Sequence, residues 1–348
     1  MTKTAIAGLE VQTGPEIAAL EPGGPTHYLV LGDFGAHALG VRPVDPETLD
    51  GVLDIVGVEI AGSPIHEIED FHPDRLYQRL NLFRDLATPS NPPERIGQRM
   101  RELLHHPRFR TVESAWRGLD FAVRRADDES GSIYMAQYSR EDLAADVAAA
   151  DDLKTTLLYE LFHAHKWGGV FGLYSFGPDA ADIEILGRVA VIAEHARAPF
   201  IAQGAEDTGH YWEELRSIPE AGCLALALPR FLLRLPYGAR TSPIESFEFE
   251  EMTEAPSHDG YLWGHPAWAC LCVAAGGAAA GPREGPARLD LRGHPIAHLS
   301  ARRRMDMHSL HRSRGVRSSG ASSHGTRVDS AGLGSQYRPR ARGRVARD

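Results

Sequence analysis

The most regular hydrophobic pattern in the chain lies between residues 107 and 123, where apolar side chains recur at intervals of three and four. The positions are Phe109, Val112, Trp116, Leu119 and Val123. This spacing lines them along one face of a helix, which needs a partner surface to cover it. Pro107 suits the first turn of that helix, where its missing N–H loses no partner. The pattern alone predicts an amphipathic core helix and indicates no chemistry.

Weaker patterns along the rest of the chain alternate between strand and helix. Strands are predicted at residues 28–31, 132–138, 170–176, 199–202 and 222–228, and helices at 46–56, 71–86, 94–105, 141–149, 152–165 and 179–194. Asp45 is the predicted N-cap of the first helix, and Ser139 with Asp142 forms a predicted capping box. Gly168-Gly169 is predicted to end the helix before it. The alternation predicts a mixed α/β (α+β) fold in which helices pack on a mixed sheet.

The clearest internal boundary is the proline-rich stretch at residues 88–93. Three prolines within five residues cannot continue a helix or a central strand, and Asn91 is positioned to cap the helix that follows. We therefore divide the chain into five parts. They are a flexible arm at 1–26, an α/β module at 27–88, a proline-rich linker at 89–96, a core domain at 97–275 and an arginine-rich, disordered tail at 276–348.

Charge is distributed unevenly between the tail and the rest of the chain. Residues 281–348 hold 15 Arg, no Lys and 5 acidic residues, a net charge of +10, so residues 1–280 hold 22 basic and 42 acidic residues, a net charge of −20. The tail has no apolar period that could bury a face, which predicts disorder. Its arginines could neutralise nucleic-acid phosphates, so a nucleic-acid-binding protein is one functional alternative.

Length and composition bound the class of protein. A chain of 348 residues, 43% of them hydrophobic, can bury a substantial core. The cysteines, Cys223, Cys270 and Cys272, form neither a disulfide framework nor a paired zinc motif, so we expect free thiols. The first residues lack the basic and apolar regions of a signal peptide, and no apolar run reaches the ~18–20 residues of a membrane span. We expect a cytoplasmic protein with no direct membrane insertion.

Candidate catalytic and metal-binding patterns fail on their spacing. His163 and His165 are two residues apart, so their side chains leave a helix about 200° apart and cannot jointly ligate a metal while helical. The segment around Ser175 approaches a nucleophile elbow, but Leu173 stands where that motif needs glycine. No glycine-rich phosphate loop follows a strand. We assign no catalytic residue, cofactor or metal, and a hydrolase with a dispersed site is the second alternative.

Several rare phrases occur together, in order, between residues 97 and 265. They are His106-Pro107-x-Phe109-x-x-Val112-Glu113-x-x-Trp116-Arg117-Gly118-Leu119, Leu228-Pro229-Arg230-Phe231-Leu232-Leu233-Arg234-Leu235-Pro236-Tyr237-Gly238, Phe247-x-Phe249-Glu250-Glu251 and Tyr261-Leu262-Trp263-Gly264. In wording, order and spacing this stretch resembles the large subunit of the contractile sheath of bacterial type VI secretion systems. A series of rare phrases is much more specific than a single motif.

The resemblance implies a structural protein that needs no active site and no cofactor. Small and large sheath subunits would form a cytoplasmic helical tube, whose contraction propels an inner tube. The implied partners are the small subunit, other large subunits, the inner-tube protein, the baseplate and a recycling AAA+ ATPase, without nucleic acid. The signature residues expected in the core are Phe109, Glu113, Trp116, Arg117, Gly118 and Leu119. The residues expected at a subunit contact are Pro229, Arg230, Arg234, Pro236, Tyr237, Gly238, Glu250 and Glu251.

Arg230 and Arg234 stand in an apolar frame, where a charge is costly unless it is paired or reaches a surface. One explanation is that both arginines pair or snorkel within the subunit. The other is that they meet acids of a neighbouring subunit. The acids near enough in sequence for either role are Glu245, Glu248, Glu250 and Glu251.

Two further segments extend the resemblance. Residues 68–76 are similar to a phrase of the sheath's small subunit, which makes 27–88 either a small-subunit-like module or an unrelated N-terminal extension. Sequences of the large-subunit family continue far past the phrase that ends at Gly264, and the corresponding sequence is missing here. A shift of reading frame near Gly276 would produce a tail rich in Arg, Ala, Gly and Pro, so we expect a truncated, frame-disrupted copy.

Overall fold

The computed structural model describes residues 5–6, 9–10, 26–36, 40–84, 86, 93–126, 131–205, 211–253 and 258–276. The predicted tail therefore lies outside the described residues, apart from Gly276 itself. So do Asn91, most of the proline-rich stretch, and most of the predicted arm. Within the arm, two short antiparallel strands pair Ala5 with Glu10 and Ile6 with Leu9.

The described strands and helices alternate along most of the chain. The strands are β1 (Ala5–Ile6), β2 (Leu9–Glu10), β3 (Thr26–Gly32), β4 (Arg42–Val44), β5 (Glu59–Ile60), β6 (Ser63–Pro64), β7 (Gly131–Gln137), β8 (Trp167–Phe176), β9 (Phe200–Gly204), β10 (Leu224–Ala227), β11 (Phe231–Arg234) and β12 (Leu262–Gly264). The helices are α1 (Leu49–Val56), α2 (Pro73–Arg79), α3 (Asn81–Arg84), α4 (Pro93–Leu104), α5 (Pro107–Val123), α6 (Arg140–Ala148), α7 (Leu157–His163), α8 (Ala180–Ala196), α9 (Tyr211–Ser217) and α10 (Pro266–Ala275).

A six-stranded mixed sheet organises the fold, with strand order β10-β9-β8-β3-β7-β4. The first five of these strands are parallel to their neighbours, and β4 pairs antiparallel with β7 at one edge. Strand β3 lies in the interior, where Leu29 is opposite both Tyr134 of β7 and Val170 of β8. Residues 27–88 and 97–275 therefore contribute strands to one sheet. Whether they are domains of separate origin stays a prediction.

Successive residues of β3 serve two hydrophobic cores, one on each face of the sheet, because side chains alternate along a strand. Tyr28 and Val30 join the core that includes α5 and α10. Leu29 and Leu31 join the core formed with α6, α7, α8 and α9. A sheet covered by helices on both faces explains why its central strands read as nearly continuous apolar runs. The predicted mixed α/β fold is confirmed.

Local sequence signals placed several elements correctly. Helix α5 begins at Pro107, and all five residues of its predicted apolar stripe are buried. Ser139 and Asp142 form the predicted capping box, with Ser139 Oγ accepting from the Asp142 N–H at 3.0 Å and the Asp142 carboxylate accepting from the Ser139 N–H at 2.9 Å. Asp45 caps its turn through the N–H groups of Glu47 and Thr48, but the helix itself begins three residues later than predicted, at Leu49.

The predicted single helix at 71–86 is wrong. A 3₁₀ turn (Ile68–Phe71) precedes α2, and the chain then breaks at Leu80, whose ψ of 127° is extended rather than helical. Leu80 and Phe83 are each 1% exposed. Both side chains are therefore buried in the core although the helix breaks between α2 and α3. The helical period of the segment does not indicate this break. Helix α2 begins at Pro73, two residues later than predicted, with His72 Nδ1 accepting from the Asp74 N–H at 3.3 Å.

Other features also differ from the sequence prediction. Gly168 and Gly169 do not end a helix but lie inside β8. A side chain at Gly168 would place its Cβ 2.2 Å from Thr26 Cγ2, so glycine permits close approach of β3. Helix α4 begins at Pro93, inside the predicted linker at 89–96. Strand β10 is an edge strand and is half-buried over most of its length, rather than buried on both sides.

Across the described ranges, we find no helix that combines the length and the apolar character needed to cross a membrane.

Candidate functional site

Two of the sequence phrases that carry the resemblance meet in a buried ion cluster. Arg234, at the end of β11, reaches Glu113 in the middle of α5, 121 residues earlier in the chain. Arg234 Nε donates to Glu113 Oε1 at 2.9 Å, and Nη2 lies 3.3 Å from Glu113 Oε2. The Glu113 side chain is fully buried. An ionised carboxylate at such a depth needs a paired cation, and Arg234 supplies it.

A third phrase contributes a second carboxylate to the same guanidinium. Arg234 Nη1 donates to Glu251 Oε2 at 2.8 Å, and Nη2 donates to Oε1 at 3.1 Å. This is the two-bond arrangement that a planar guanidinium makes with a carboxylate. Glu251 Oε2 also accepts from the Tyr237 N–H at 2.8 Å, and the Glu251 N–H donates to the Tyr237 carbonyl at 2.8 Å. Arg234 therefore takes the intramolecular alternative, with Glu251 as one of the predicted acids.

A second arginine completes the ion cluster, which we define as Glu113, Arg117, Arg234, Tyr237 and Glu251. Arg117 Nε donates to Glu113 Oε1 at 2.8 Å, and its Nη2 donates to the Tyr237 hydroxyl at 3.1 Å. The Arg234 guanidinium carbon lies 4.2 Å from the centre of the Tyr237 ring. Two carboxylates and two guanidinium groups balance in charge, which makes their joint burial tolerable.

The pKa values in the ion cluster follow from this pairing. Burial alone would raise the pKa of the Glu251 carboxyl, but His105, with Nε2 3.6 Å away, and the charge and hydrogen bonds of Arg234 lower it to about 2. Burial disfavours the charged Arg234 guanidinium, but Glu113 and Glu251 outweigh it and hold the Arg234 pKa well above its ordinary value. Burial also raises the pKa of Tyr237. Pairing therefore favours the charged forms of Arg234 and Glu251.

The other signature residues of α5 are packing residues. Phe109, Trp116 and Leu119 are buried, and Trp116 Nε1 donates to the Phe34 carbonyl at 2.9 Å. Gly118 faces Trp268 of α10 so closely that an added Cβ would lie 2.1 Å from the indole Nε1. Only glycine allows α5 and α10 to approach at this point.

Glu250 and Gly238 shape the turn beside the ion cluster. Glu250 Oε1 accepts from the Ala239 N–H at 3.0 Å, and a Cβ at Gly238 would lie 2.2 Å from Glu250 Oε2. The Pro236 carbonyl accepts from the Thr241 hydroxyl at 2.5 Å. These contacts hold the chain that follows Arg234 in a compact turn around the carboxylate of Glu250.

Arg230 has a different environment from Arg234. Residues Leu228, Pro229 and Arg230 are exposed, and Leu228 keeps 42% of its surface accessible. Arg230 Nε donates to Gln203 Oε1 at 2.9 Å, and Nη2 donates to Ser175 Oγ at 3.2 Å. Within the described residues no carboxylate lies at ion-pair distance from it. Partial burial and the charge of Arg110 lower the pKa of Arg230.

The patterns weighed for catalysis do not converge. His163 contacts His195, whereas His165 contacts His27, so the two predicted helix-end histidines have separate partners. Burial raises the pKa of Cys270 to about 11 and that of Cys272 to about 12. Among the residues that the structure places, no group of three or more His, Cys, Asp and Glu side chains has the geometry to hold a metal.

Sequence reasoning missed one long-range anchor. The Asp74 carboxylate accepts from the N–H groups of Glu245 and Ser246, at 3.0 Å and 2.8 Å for the nearest oxygen of each. These contacts attach α2 to the segment that leads to Glu251. Asp74 in the first turn of a helix reads as an ordinary helix-dipole residue, so no local signal indicated its distant partners.

Comparison with known proteins identifies the family. The family model described as VipB, "EvpB/VC_A0108, tail sheath N-terminal domain", matches residues 93–210 and 205–275, which together are more than half of the chain. The type VI secretion system sheath protein TssC1 of Pseudomonas aeruginosa is 31% identical over 204 residues. That alignment covers 48% of this chain and 40% of the relative, so the chain spans less than half of the relative's length.

Neither match supports the hydrolase or the nucleic-acid-binding alternative, and the family is one of structural sheath proteins. All three sequence phrases that meet in the ion cluster lie inside the matched residues. The chain belongs to the VipB/EvpB tail sheath family.

Proposed function

We propose that the chain is a structural subunit of a type VI secretion contractile sheath. The observation that carries the proposal is the ion cluster, which ties the family phrases around residues 113, 234 and 251 into one charge-balanced core. The charged side chains of the ion cluster pair with one another inside the chain. Such an arrangement suits a body that transmits force between neighbours and carries out no chemistry of its own.

Other sheath subunits, small and large, are the partners that follow from the family. We further propose that this assembly lies in the cytoplasm and contacts the inner-tube protein, the baseplate and a recycling AAA+ ATPase. In this account the energy for contraction is stored in subunit packing, so the chain needs no cofactor. The sheath name of the relative supports other sheath subunits as partners.

The proposed subunit contact centres on Leu228, Pro229 and Arg230. Leu228 and Pro229 form an exposed apolar surface beside Arg230. Among the described residues no carboxylate pairs with Arg230, so this surface carries one positive charge. Residues 1–280 have a net charge of −20, so a neighbouring copy of similar composition would offer abundant carboxylates. Pro236, Gly238 and Glu250 would support this contact from the adjoining turn, and Arg234, Tyr237 and Glu251 would support it from beneath.

The contact can be tested by charge reversal. Arg230→Glu is expected to weaken association between copies of the chain at least tenfold, because a carboxylate would then face a carboxylate. Arg216→Glu, on the exposed face of α9, makes the same charge change as a control. Both variants should keep the unfolding midpoint of the parent chain. Equal association by the two variants would remove Arg230 from the contact.

Two parts of the domain division also belong to this proposal. Residues 27–88 would be a small-subunit-like module fused to the large-subunit core, and residues from about 276 would be read out of frame. The match to the sheath family model runs to residue 275, which supports a junction near Gly276. Reading the nucleotide sequence around that codon in all three frames tests the junction. We expect sheath-family sequence in another reading frame. Its absence from all three frames would overturn the proposed frame shift.

A further inference from the structure

Helices α7 and α8 bring two exposed histidines together outside the ion cluster. His163 is the last residue of α7, and His195 lies in the last turn of α8. His163 Nε2 and His195 Nδ1 are 3.0 Å apart, although 32 residues separate them in sequence. Both side chains are exposed, so solvent and small ions reach the two nitrogens.

The ring of His163 is fixed by its surroundings. Its Nδ1 lies 2.8 Å from the Tyr159 carbonyl, an acceptor, so Nδ1 carries the proton and Nε2 carries a lone pair directed at His195. The Tyr159 ring stacks on the His163 ring with centroids 3.9 Å apart. A histidine whose second nitrogen donates to a carbonyl is the usual arrangement of a metal ligand, because the hydrogen bond sets both tautomer and orientation.

We propose that His163 and His195 form a two-histidine site for a divalent transition metal ion of the Zn²⁺, Ni²⁺ or Cu²⁺ class. Two imidazole nitrogens at about 2.0–2.1 Å from a tetrahedral ion lie about 3.3 Å apart, so the observed pair must separate by a few tenths of an ångström. Each ring must also turn by roughly 35°, because the two nitrogens now point at each other rather than at a common ion. Imidazole ligands select these metals over Mg²⁺ and Ca²⁺, which prefer oxygen. His195 binds after its proton moves from Nδ1 to Nε2, and water fills the remaining positions.

The second histidine pair of the fold lacks these properties. His27 Nδ1 and His165 Nε2 are 3.1 Å apart, but the rings are part-buried beside Tyr134 and Trp167. Water cannot readily complete a coordination sphere in that position. The exposed pair is therefore the better site, and a bound ion would join the C-terminal ends of α7 and α8.

Isothermal titration of the full chain with Zn²⁺ tests the site, with His163→Ala and His195→Ala as site variants. Other histidines of the chain will also bind weakly, so the control is His66→Ala, which removes an exposed histidine paired with Asp54. We expect the tightest binding to weaken at least tenfold in both site variants and to persist in His66→Ala. We also expect Zn²⁺, but not Mg²⁺, to raise the unfolding midpoint of the parent by about 3 °C or more. Identical titrations for all four proteins would overturn the proposal, whatever the outcome of the sheath experiments.

Discussion

Replacing Arg234 by methionine should be among the most damaging single changes to the stability of this chain. The substitution keeps most of the side-chain volume but removes the cation between Glu113 and Glu251, whose side chains are 0% and 3% exposed. Removing one partner of a buried ion pair costs about 3–5 kcal/mol, because the remaining charge stays buried without compensation. Arg117 would still neutralise part of the charge on Glu113 but does not reach Glu251 in an ion pair.

The pKa of Glu251 gives a second estimate. A pKa of about 2, against 4.5 for an ordinary glutamate, corresponds to about 3 kcal/mol of stability at about 1.36 kcal/mol per unit. Because the folded-state pKa is depressed, this stability is present above pH 4.5 and is lost as the pH falls toward 2. His105 and the Tyr237 N–H lower this pKa together with Arg234, so only part of this stability is lost with Arg234, in the same direction as the first estimate. Without Arg234 the carboxyl titrates at higher pH, so the difference in stability between parent and variant should shrink as the pH is lowered from 7 to 4.

Urea unfolding at pH 7 and at pH 4 measures both effects. Arg124→Met is the matched control, since Arg124 forms an (i, i+4) pair with Asp120 but is 60% exposed. Such surface pairs contribute about 0.2–1 kcal/mol, so the control should remain close to the parent at both pH values. If Arg234→Met lost no more stability than Arg124→Met, or if its deficit did not depend on pH, the ion cluster would not stabilise the fold as described.

Three further predictions concern packing and the tail. Trp116→Ala should lower the free energy of unfolding by about 3–5 kcal/mol, because it removes a fully buried indole and its hydrogen bond to Phe34; a nearly unchanged denaturation midpoint would contradict its place in the core. Gly118→Ala should cost about 1–3 kcal/mol through overpacking against Trp268, and near-UV circular dichroism should report the displaced indole, whereas an unchanged spectrum and stability would show that α10 yields freely. Deleting residues 277–348 should leave the unfolding midpoint unchanged, and limited proteolysis should remove the same residues first; a protease-resistant tail would disprove the predicted disorder.

The elements that sequence predicts best are those whose signals are local. The stripe of α5 and the capping box at Ser139 depend on residues three or four positions apart, and both were correct. The break at Leu80 was missed because the hydrophobic period continues across it, while the chain turns to bury Leu80 and Phe83 separately. Gly168 of β8 was misassigned because the residue that requires glycine there, Thr26, lies on another strand.

The site could be predicted only in part, for the same reason. The sequence indicated that Arg234 needs an acid, and it named Glu251 among the candidates. It did not indicate Glu113, because a partner 121 residues away is set by how β11 lies against α5. Glu113 and Arg117 lie four residues apart on α5, a spacing that is typical of an ordinary helix-surface pair. The structure instead buries that pair and shares its carboxylate with a second arginine.

Sedimentation velocity of the chain mixed with the sheath small subunit of the same genome is the most direct test of the proposed function. The account predicts that the two proteins sediment as a complex with lower stability in high salt, since Arg230, which has no carboxylate partner among the described residues, lies in the proposed contact. If the proposed frame shift near residue 276 is right, tubes should not form, because the rest of the large-subunit sequence would be missing. Independent sedimentation of the two proteins at all concentrations, with the chain folded, would contradict the claim that it is a sheath subunit.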